Sequence, residues 1–204
     1  MKNLRNIIAL LALLLTGLAA LAATPVELLN QSAAKLRSAK TIHASFSMTS
    51  QGTTASGTLL CKGNKFAMSL PGIGTWYDGK VIWSYTRKTG EATVWKPTTA
   101  ELAESNPLLY LSSAKDYTVK EDAKGVGKGV KTLVLTPKKR NTGVKSLRIV
   151  INTGSLLPKS ISIAASSGNF KFNITSLKLN TPISDSAFCF DRKKYPKAQI
   201  VDLR

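Results

Sequence analysis

Few side chains in this sequence could carry out chemistry. His43 is the only histidine, and it lies in an alternating segment next to Ser45 and Ser47. Nucleophilic catalysis needs a nucleophile, a base and a group that orients the base, and the neighbours of His43 do not supply that set. We therefore interpret His43 as a partly exposed residue on a strand, and we expect no enzymatic activity.

The other candidate groups are equally isolated. Cys61 and Cys189 stand far apart, so together with one histidine they make no metal-binding cluster. Asp78 belongs to a turn, and Glu121-Asp122 lies in a basic loop. Gly125 to Gly129 lacks the spacing of a phosphate-binding loop and precedes no helix, so it predicts a turn. The sequence predicts no cofactor and no acid–base pair.

Aromatic side chains are concentrated in the first half of the chain. They form either an ordinary sheet core or a wall for an apolar ligand. Exposing an acyl chain to water costs ~0.8 kcal/mol per methylene, or about 12 kcal/mol for sixteen carbons. A lipid that crosses water therefore needs a protein wall, but it needs no chemistry. The aromatic residues in question are Phe46, Phe66, Trp76, Tyr77, Trp83, Tyr85 and Trp95.

The first 22 residues have the pattern of a cleaved export signal. Lys2 and Arg5 precede the apolar run Ile7 to Leu15, and Ala20-Leu21-Ala22 supplies a small-x-small cleavage site. No cysteine follows that could be lipidated. We expect a periplasmic protein whose mature chain, residues 23–204, is one domain.

Basic residues dominate the charge, which is +18 for the full chain. Either solubility or contact with an anionic membrane surface could explain it, whereas export makes nucleic acid an unsuitable partner. An oxidising compartment would permit a Cys61–Cys189 disulfide. Both cysteines lie in apolar strand-like patterns, where free cysteine also fits as a small hydrophobe.

The elements follow from the periodicity. Thr24-Pro25-Val26-Glu27 is a capping box that opens a helix to about Ala39, with Val26, Leu29, Ala33 and Leu36 on one face. Strand-like alternation then begins at Ile42, and turn residues recur about every ten residues. The basic tail from Arg192 to Arg204 carries no clear pattern. A helical insert from about Thr98 to Ser112 interrupts the strands, and Ser186 to Phe190 resembles a last strand.

These elements predict a mainly β protein with a small helical part. About ten strands at regular spacing indicate one antiparallel meander, and a sheet of that length curls or closes. The helices are the elements available to cover its concave face.

Several ordered segments resemble the periplasmic outer-membrane lipoprotein carrier (LolA-like) family. Ile42 to Ser47 after the amphipathic helix is similar to the first strand of that family, and Gly57 to Leu70 to its second and third strands. Tyr77-Asp78-Gly79-Lys80 with Trp83 and Tyr85 resembles its hairpin, and Asn106-Pro107-Leu108-Leu109 its lid insert. Further segments in the same order are Leu133 to Lys138 and the pair Phe188 and Phe190.

The resemblance implies an unclosed β-barrel with a helical lid over an apolar cavity. On that basis and on strand parity, we predict a lipid-binding wall and a lid that covers it. The predicted wall residues are Phe46, Met48, Phe66, Met68, Leu70, Trp83 and Tyr85, and the predicted lid residues are Val26, Leu29, Ala33, Leu36, Leu108 and Leu109.

One departure concerns how the lid is held. The family often carries an Arg-Pro pair after its second strand, whose Arg bonds lid carbonyls, and Gly63-Asn64 stands at those positions here. Lys62 or Lys65 could substitute, although lysine lacks the fork geometry of arginine.

The resemblance further implies a monomeric chaperone. It would take acylated lipoproteins from an inner-membrane ABC transporter to an outer-membrane acceptor. Alternatives are a carrier or binder of another lipid or glycolipid, and a non-carrier envelope sensor or structural module on the same fold. A small esterase ranks last for want of a nucleophile–base pair.

Export yields a first prediction. N-terminal sequencing of the protein from its own cells should find a mature chain that begins at or near Ala23. Soluble, functional protein that begins at Met1 would contradict it.

Overall fold

The computed structural model describes residues 23–124, 127–139 and 142–204. The predicted export signal, residues 1–22, lies outside the described residues, as do positions 125 and 126 of the predicted glycine-rich turn. Within the described ranges, no helix is long and apolar enough to cross a membrane.

Helix α1 spans Pro25–Arg37, two residues shorter than predicted. The Thr24 backbone N–H donates to the Glu27 carboxylate at 2.7 Å, and the Glu27 N–H donates to the Thr24 hydroxyl at 3.2 Å. These two bonds close the predicted capping box, and hydrogen bonds from the Thr24 backbone N–H and hydroxyl lower the pKa of the Glu27 carboxyl. Lys35 and Arg37 lie in the last turn, where the helix dipole favours cations.

In the described part of the chain, twelve strands follow, interrupted by the lid insert. The insert consists of α2 (Thr99–Ser105), which opens with a second capping box at Thr98 and Glu101, and of a 3-10 helix (Pro107–Asp116). The strands are β1 Ile42–Ser50, β2 Thr53–Lys62, β3 Lys65–Leu70, β4 Ile73–Tyr77, β5 Ile82–Thr86, β6 Glu91–Trp95, β7 Tyr117–Glu121, β8 Val130–Pro137, β9 Val144–Asn152, β10 Pro158–Ala165, β11 Gly168–Leu179 and β12 Gln199–Asp202.

These strands belong to one sheet in the order β12-β6-β5-β4-β3-β2-β1-β11-β10-β9-β8-β7. Neighbours are antiparallel except for β12, which runs parallel to β6. The two ends of the described sheet, β12 and β7, are not paired with each other. The predicted fold class, an unclosed antiparallel barrel with a helical part, is confirmed.

The main core lies between the helices and one face of the sheet, which we call the inner face. Leu29, Leu111, Leu133 and Ile149 are each fully buried there. A glycine makes room for an aromatic ring, because Gly57 lies opposite Phe46 and a Cβ at residue 57 would come within 2.6 Å of that ring. The inner face is therefore apolar and closely packed.

A second cluster lies on the opposite, outer face and corrects part of the predicted wall. Trp83 pairs with Trp76, whereas the inner-face residue Ile82 pairs with Tyr77. Trp83 stacks on Phe190 at 4.8 Å between ring centroids, and Tyr85 contacts Tyr195 at 4.3 Å. The prediction that Trp83 and Tyr85 share a face with Phe46 was wrong.

The C-terminal arm, residues 189–204, covers that outer aromatic cluster (Trp76, Trp83, Tyr85, Phe190 and Tyr195). Phe190 also meets Trp76 at 5.5 Å and stacks on Tyr195 at 5.3 Å. Beyond the cluster, β12 pairs with β6 and forms one end of the sheet, although the sequence of this tail showed no clear pattern.

The segment predicted as a last strand, Ser186 to Phe190, is also different in the structure. A short 3-10 helix occupies Asp185–Phe188 instead, capped by Ser184, whose hydroxyl accepts from the Ser186 N–H. Cys189 follows this turn and is exposed, while Cys61 is buried in β2, and both are free thiols.

The ring contacts of Phe190 should stabilise the folded protein. We expect Phe190→Ala to lower the free energy of unfolding by about 2–3 kcal/mol, because it removes several ring contacts worth ~0.5–1.5 kcal/mol each. Denaturant unfolding measures the change. Ile73→Ala is the control, since its side chain is 43% exposed and makes no ring contact, and it should cost less than about 1 kcal/mol. Equal losses in the two variants would contradict the stabilising role of the Phe190 ring contacts.

Candidate functional site

Five of the seven predicted wall residues face the helices. Phe46 and Phe66 are buried, and Met48, Met68 and Leu70 pack against the same core while remaining half-buried. Phe46 meets Phe172 edge to face at 5.5 Å, and Phe66 meets Tyr77 at 5.5 Å. The first three strands thus present a continuous apolar surface to the lid.

The lid residues divide into a buried and an exposed group. Leu29, Ala33 and Leu36 are buried in the core, as predicted from their helical spacing, and so is Leu108, which the resemblance assigned to the lid. Val26 and Leu109 are 43% and 38% exposed, so the prediction that they cover the wall was wrong for these two side chains. Val26 lies in the first helical turn, and Leu109 points outward because the insert forms a 3-10 helix there. Leu28, Tyr110 and Leu111 provide buried contacts that the sequence did not identify.

An apolar opening lies between the lid and one end of the inner face. Its volume is about 230 Å³, below the ~300–1,000 Å³ usual for small-molecule sites. A lipid chain would therefore have to displace part of the lid. The sheet lines the opening with Met48, Met68, Val144, Ile163, Ala165, Phe170 and Phe172, and polar groups come from Glu104, Tyr110 and Ser167.

Half of this lining comes from strands that sequence reasoning did not assign to the wall. The alternation in β10 and β11 carries the missing signal, because Ile161 and Ile163 directly face Phe172 and Phe170 across the two strands. The predicted wall instead lay on β1, β3 and β5, in the segments that carry the family resemblance. Pairing of β11 with β1 brings the two halves of the wall together.

Lys62 and Lys65 do not hold the lid. Both ammonium groups approach the Asp185 carboxylate, at 3.2 and 3.4 Å, and hydrogen bonds from them lower its pKa. Gly63 has a φ of +58°, a left-handed conformation that an arginine at this position would adopt only with strain. The backbone conformation at Gly63 thus does not suit the arginine that the family often carries at this position.

Asn106 ties the lid to the sheet. Its side-chain amide donates to the Cys61 sulfur at 3.6 Å, and its side-chain oxygen accepts from the Leu108 N–H at 3.2 Å. Asn106 is 5% exposed, so both bonds are shielded from water. A second contact joins the Arg37 guanidinium to the Ser112 hydroxyl at 3.5 Å. Burial raises the pKa of Cys61 to about 12, so the thiol beneath the lid is protonated near neutral pH.

Other surfaces fit an apolar ligand less well. A larger depression, about 760 Å³, lies beside outer-face residues such as Arg148, Ser160 and Ser162, and most of the residues that line it are polar. His43 stands between Leu60 and Lys178, which offer it no catalytic partner. Among the described residues, no group of three His, Cys, Asp or Glu side chains is arranged to hold a metal ion.

Comparisons with known proteins agree with the geometry. A sequence profile described as outer membrane lipoprotein carrier protein LolA matches residues 15–167. The structure of an uncharacterized conserved protein from Thermus thermophilus is similar, with a TM-score of 0.59 and 13% identity over 86% of this chain and 97% of that one. At this identity the likeness extends to the fold alone. Comparison with curated protein sequences gives no match.

Two further structures resemble the chain more weakly. A putative outer membrane lipoprotein-sorting protein domain from Vibrio parahaemolyticus gives a TM-score of 0.47 at 13% identity, covering 85% of this chain and 98% of that one. Lipoprotein LppX from Mycobacterium tuberculosis gives 0.46 at 17% identity, covering 78% and 96%.

The hydrogen bonds of Asn106 should slow the opening of the lid. In a Cys189→Ser background, Cys61 should react slowly with a thiol reagent, because it is buried and protonated. Asn106→Ala should raise its labelling rate about fivefold, since losing such a cap costs ~1 kcal/mol. Stopped labelling followed by mass spectrometry measures the rate.

The matched control is Asn152→Ala, which removes comparable side-chain bonds in the β9–β10 turn, where Asn152 accepts from the Gly154 and Ser155 N–H groups. If both substitutions accelerate labelling equally, global unfolding rather than lid opening exposes Cys61.

Proposed function

We propose that this chain, which belongs to the outer membrane lipoprotein carrier (LolA) family, is an exported, monomeric carrier that holds the acyl chains of lipoproteins against its inner face. It would receive them from an inner-membrane ABC transporter and release them to an outer-membrane acceptor. It would perform no chemistry on the cargo. Wall contacts with the cargo would come from Phe46, Met48, Phe66, Met68 and Leu70.

The observation behind this proposal is the apolar opening at the junction of lid and sheet. Its methionines suit chains of variable shape, because the unbranched thioether side chain adapts to irregular neighbours. The opening is continuous with a core in which α1 and the 3-10 helix cover the sheet. Moving these helices aside would lengthen the groove without breaking a strand pairing.

Two adjacent alanines at the end of β10 test the site. Ala165 lines the opening, whereas Ala164 lines the outer-face depression. Ala165→Phe should fill the opening and weaken binding of a hydrophobic fluorescent probe about tenfold, the loss that removal of roughly 1.4 kcal/mol of contact produces. Ala164→Phe adds the same ring on the other face and should leave the affinity within about twofold of wild type. An equal effect of both substitutions would contradict the assigned site.

Native mass spectrometry of the protein from its own cells tests the cargo. Bound acylated peptides would support the lipoprotein carrier. Bound free lipid or glycolipid would replace it with a carrier of that class. Protein without any cargo, combined with no probe binding, would favour a sensor or structural module. Turnover of a simple ester would contradict the absence of enzymatic activity.

A further inference from the structure

The mouth of the apolar opening carries a negative charge in a strongly basic protein. Among the described residues that line the opening, Glu104, on α2, is the only one with a formal charge at neutral pH. The remaining polar lining groups, Tyr110 and Ser167, are neutral hydroxyls. The chain as a whole carries +18, so the local sign is opposite to the overall sign.

Glu104 lies where the opening meets water. Glu104 is exposed at the rim, and Tyr110 is 3% exposed beneath it. The pKa of Tyr110 is raised to about 12, first by burial and then by the charges of Tyr117 and Glu104. Tyr110 and Glu104 line the same opening, and Tyr110 contributes a neutral hydroxyl to it.

An amphiphile whose chain enters the opening leaves its polar head at this rim. A head with a positive charge would pair with the Glu104 carboxylate, and partial removal of water by the chain would strengthen the pairing. A carboxylate or phosphate head would meet a like charge there. Overall basicity favours anions everywhere on the surface, so only a local group can reverse the preference.

We propose that the opening selects amphiphiles that carry a protonated amine next to the acyl chain, with Glu104 as the residue that determines this specificity. The inference rests on the proposed function and specifies its ligand class. Two sources offer the same chemistry: a free aminolipid, and an acylated peptide with a free terminal amine.

The test compares two sixteen-carbon probes, one with a primary amine head and one with a carboxylate head. Each displaces a neutral hydrophobic fluorophore from wild-type protein, from Glu104→Gln and from Glu91→Gln. Glu91 is also an exposed glutamate, but it lies on β6 and does not line the opening. Both variants therefore change the net charge equally.

We expect the amine-to-carboxylate affinity ratio to fall about fivefold or more in Glu104→Gln and to stay within about twofold in Glu91→Gln, because a local pair is stronger than a screened distant charge. An unchanged ratio in Glu104→Gln, with binding retained, would overturn this inference and leave the proposed function standing. Failure of both probes to displace the fluorophore from wild type would overturn both.

A second pair of probes separates the sources. A diacylated peptide with a free terminal amine and its N-acetylated form are compared in wild type and Glu104→Gln. A loss on acetylation that disappears in Glu104→Gln supports the inference with a lipopeptide as the source. Glu104-dependence confined to the single-chain amine supports it with an aminolipid as the source.

Discussion

An open sheet with one apolar face must keep that face covered, and the rest of this structure depends on how it does so. A closed barrel would cover its interior with its own strands, but here β7 and β12 end the described sheet without meeting. The lid supplies the missing cover through buried side chains such as Leu29, Leu108 and Leu111. Each contributes about 1.5–3 kcal/mol of burial. A lipid chain offers the same kind of surface, so in the proposed carrier it would replace the lid at little net cost.

Such an exchange requires a lid that is held only moderately. One buried side-chain hydrogen bond joins Asn106 of the insert to Cys61 of the sheet. At the end of the insert, the Lys138 ammonium and backbone N–H donate to the carbonyls of Lys115 and Asp116. Within the described residues, the buried Ser32 hydroxyl on α1 has no hydrogen-bond partner, which costs ~1–3 kcal/mol relative to a satisfied group. The closed lid is therefore less stable than its apolar contacts alone would make it.

Local patterns in the sequence were enough to predict a mainly β fold, the capped helices and which residues of β1 and β3 share a face, and the family resemblance placed that face inward. The faces of Trp83 and Tyr85 could also be predicted from the sequence, because the loops that join β3 to β4 and β4 to β5 each contain an even number of residues. Counting across them puts Trp83 on the face opposite to that of Phe66, but the prediction applied parity within each strand and took the inward face from the resemblance. The partners of Lys62 and Lys65, the parallel pairing of β12 and the small size of the opening depend on contacts between distant segments. No local periodicity encodes them.

The same arrangement explains why the sheet needs a second core. The inner face of β4–β6 includes the polar residues Thr75, Ser84 and Thr93, which pair across the strands and contribute little apolar burial towards the lid. On the inner face Ile82 is fully buried, and Tyr77 and Trp95 pack against the main core. On the outer face Ala92 and Val94 are fully buried, and the arm covers the aromatic cluster. These strands therefore pack on both faces, and only the inner part of this packing involves the main core. If the chain is the proposed carrier and its lid moves, the outer cluster supplies packing for β4–β6 that does not involve the lid.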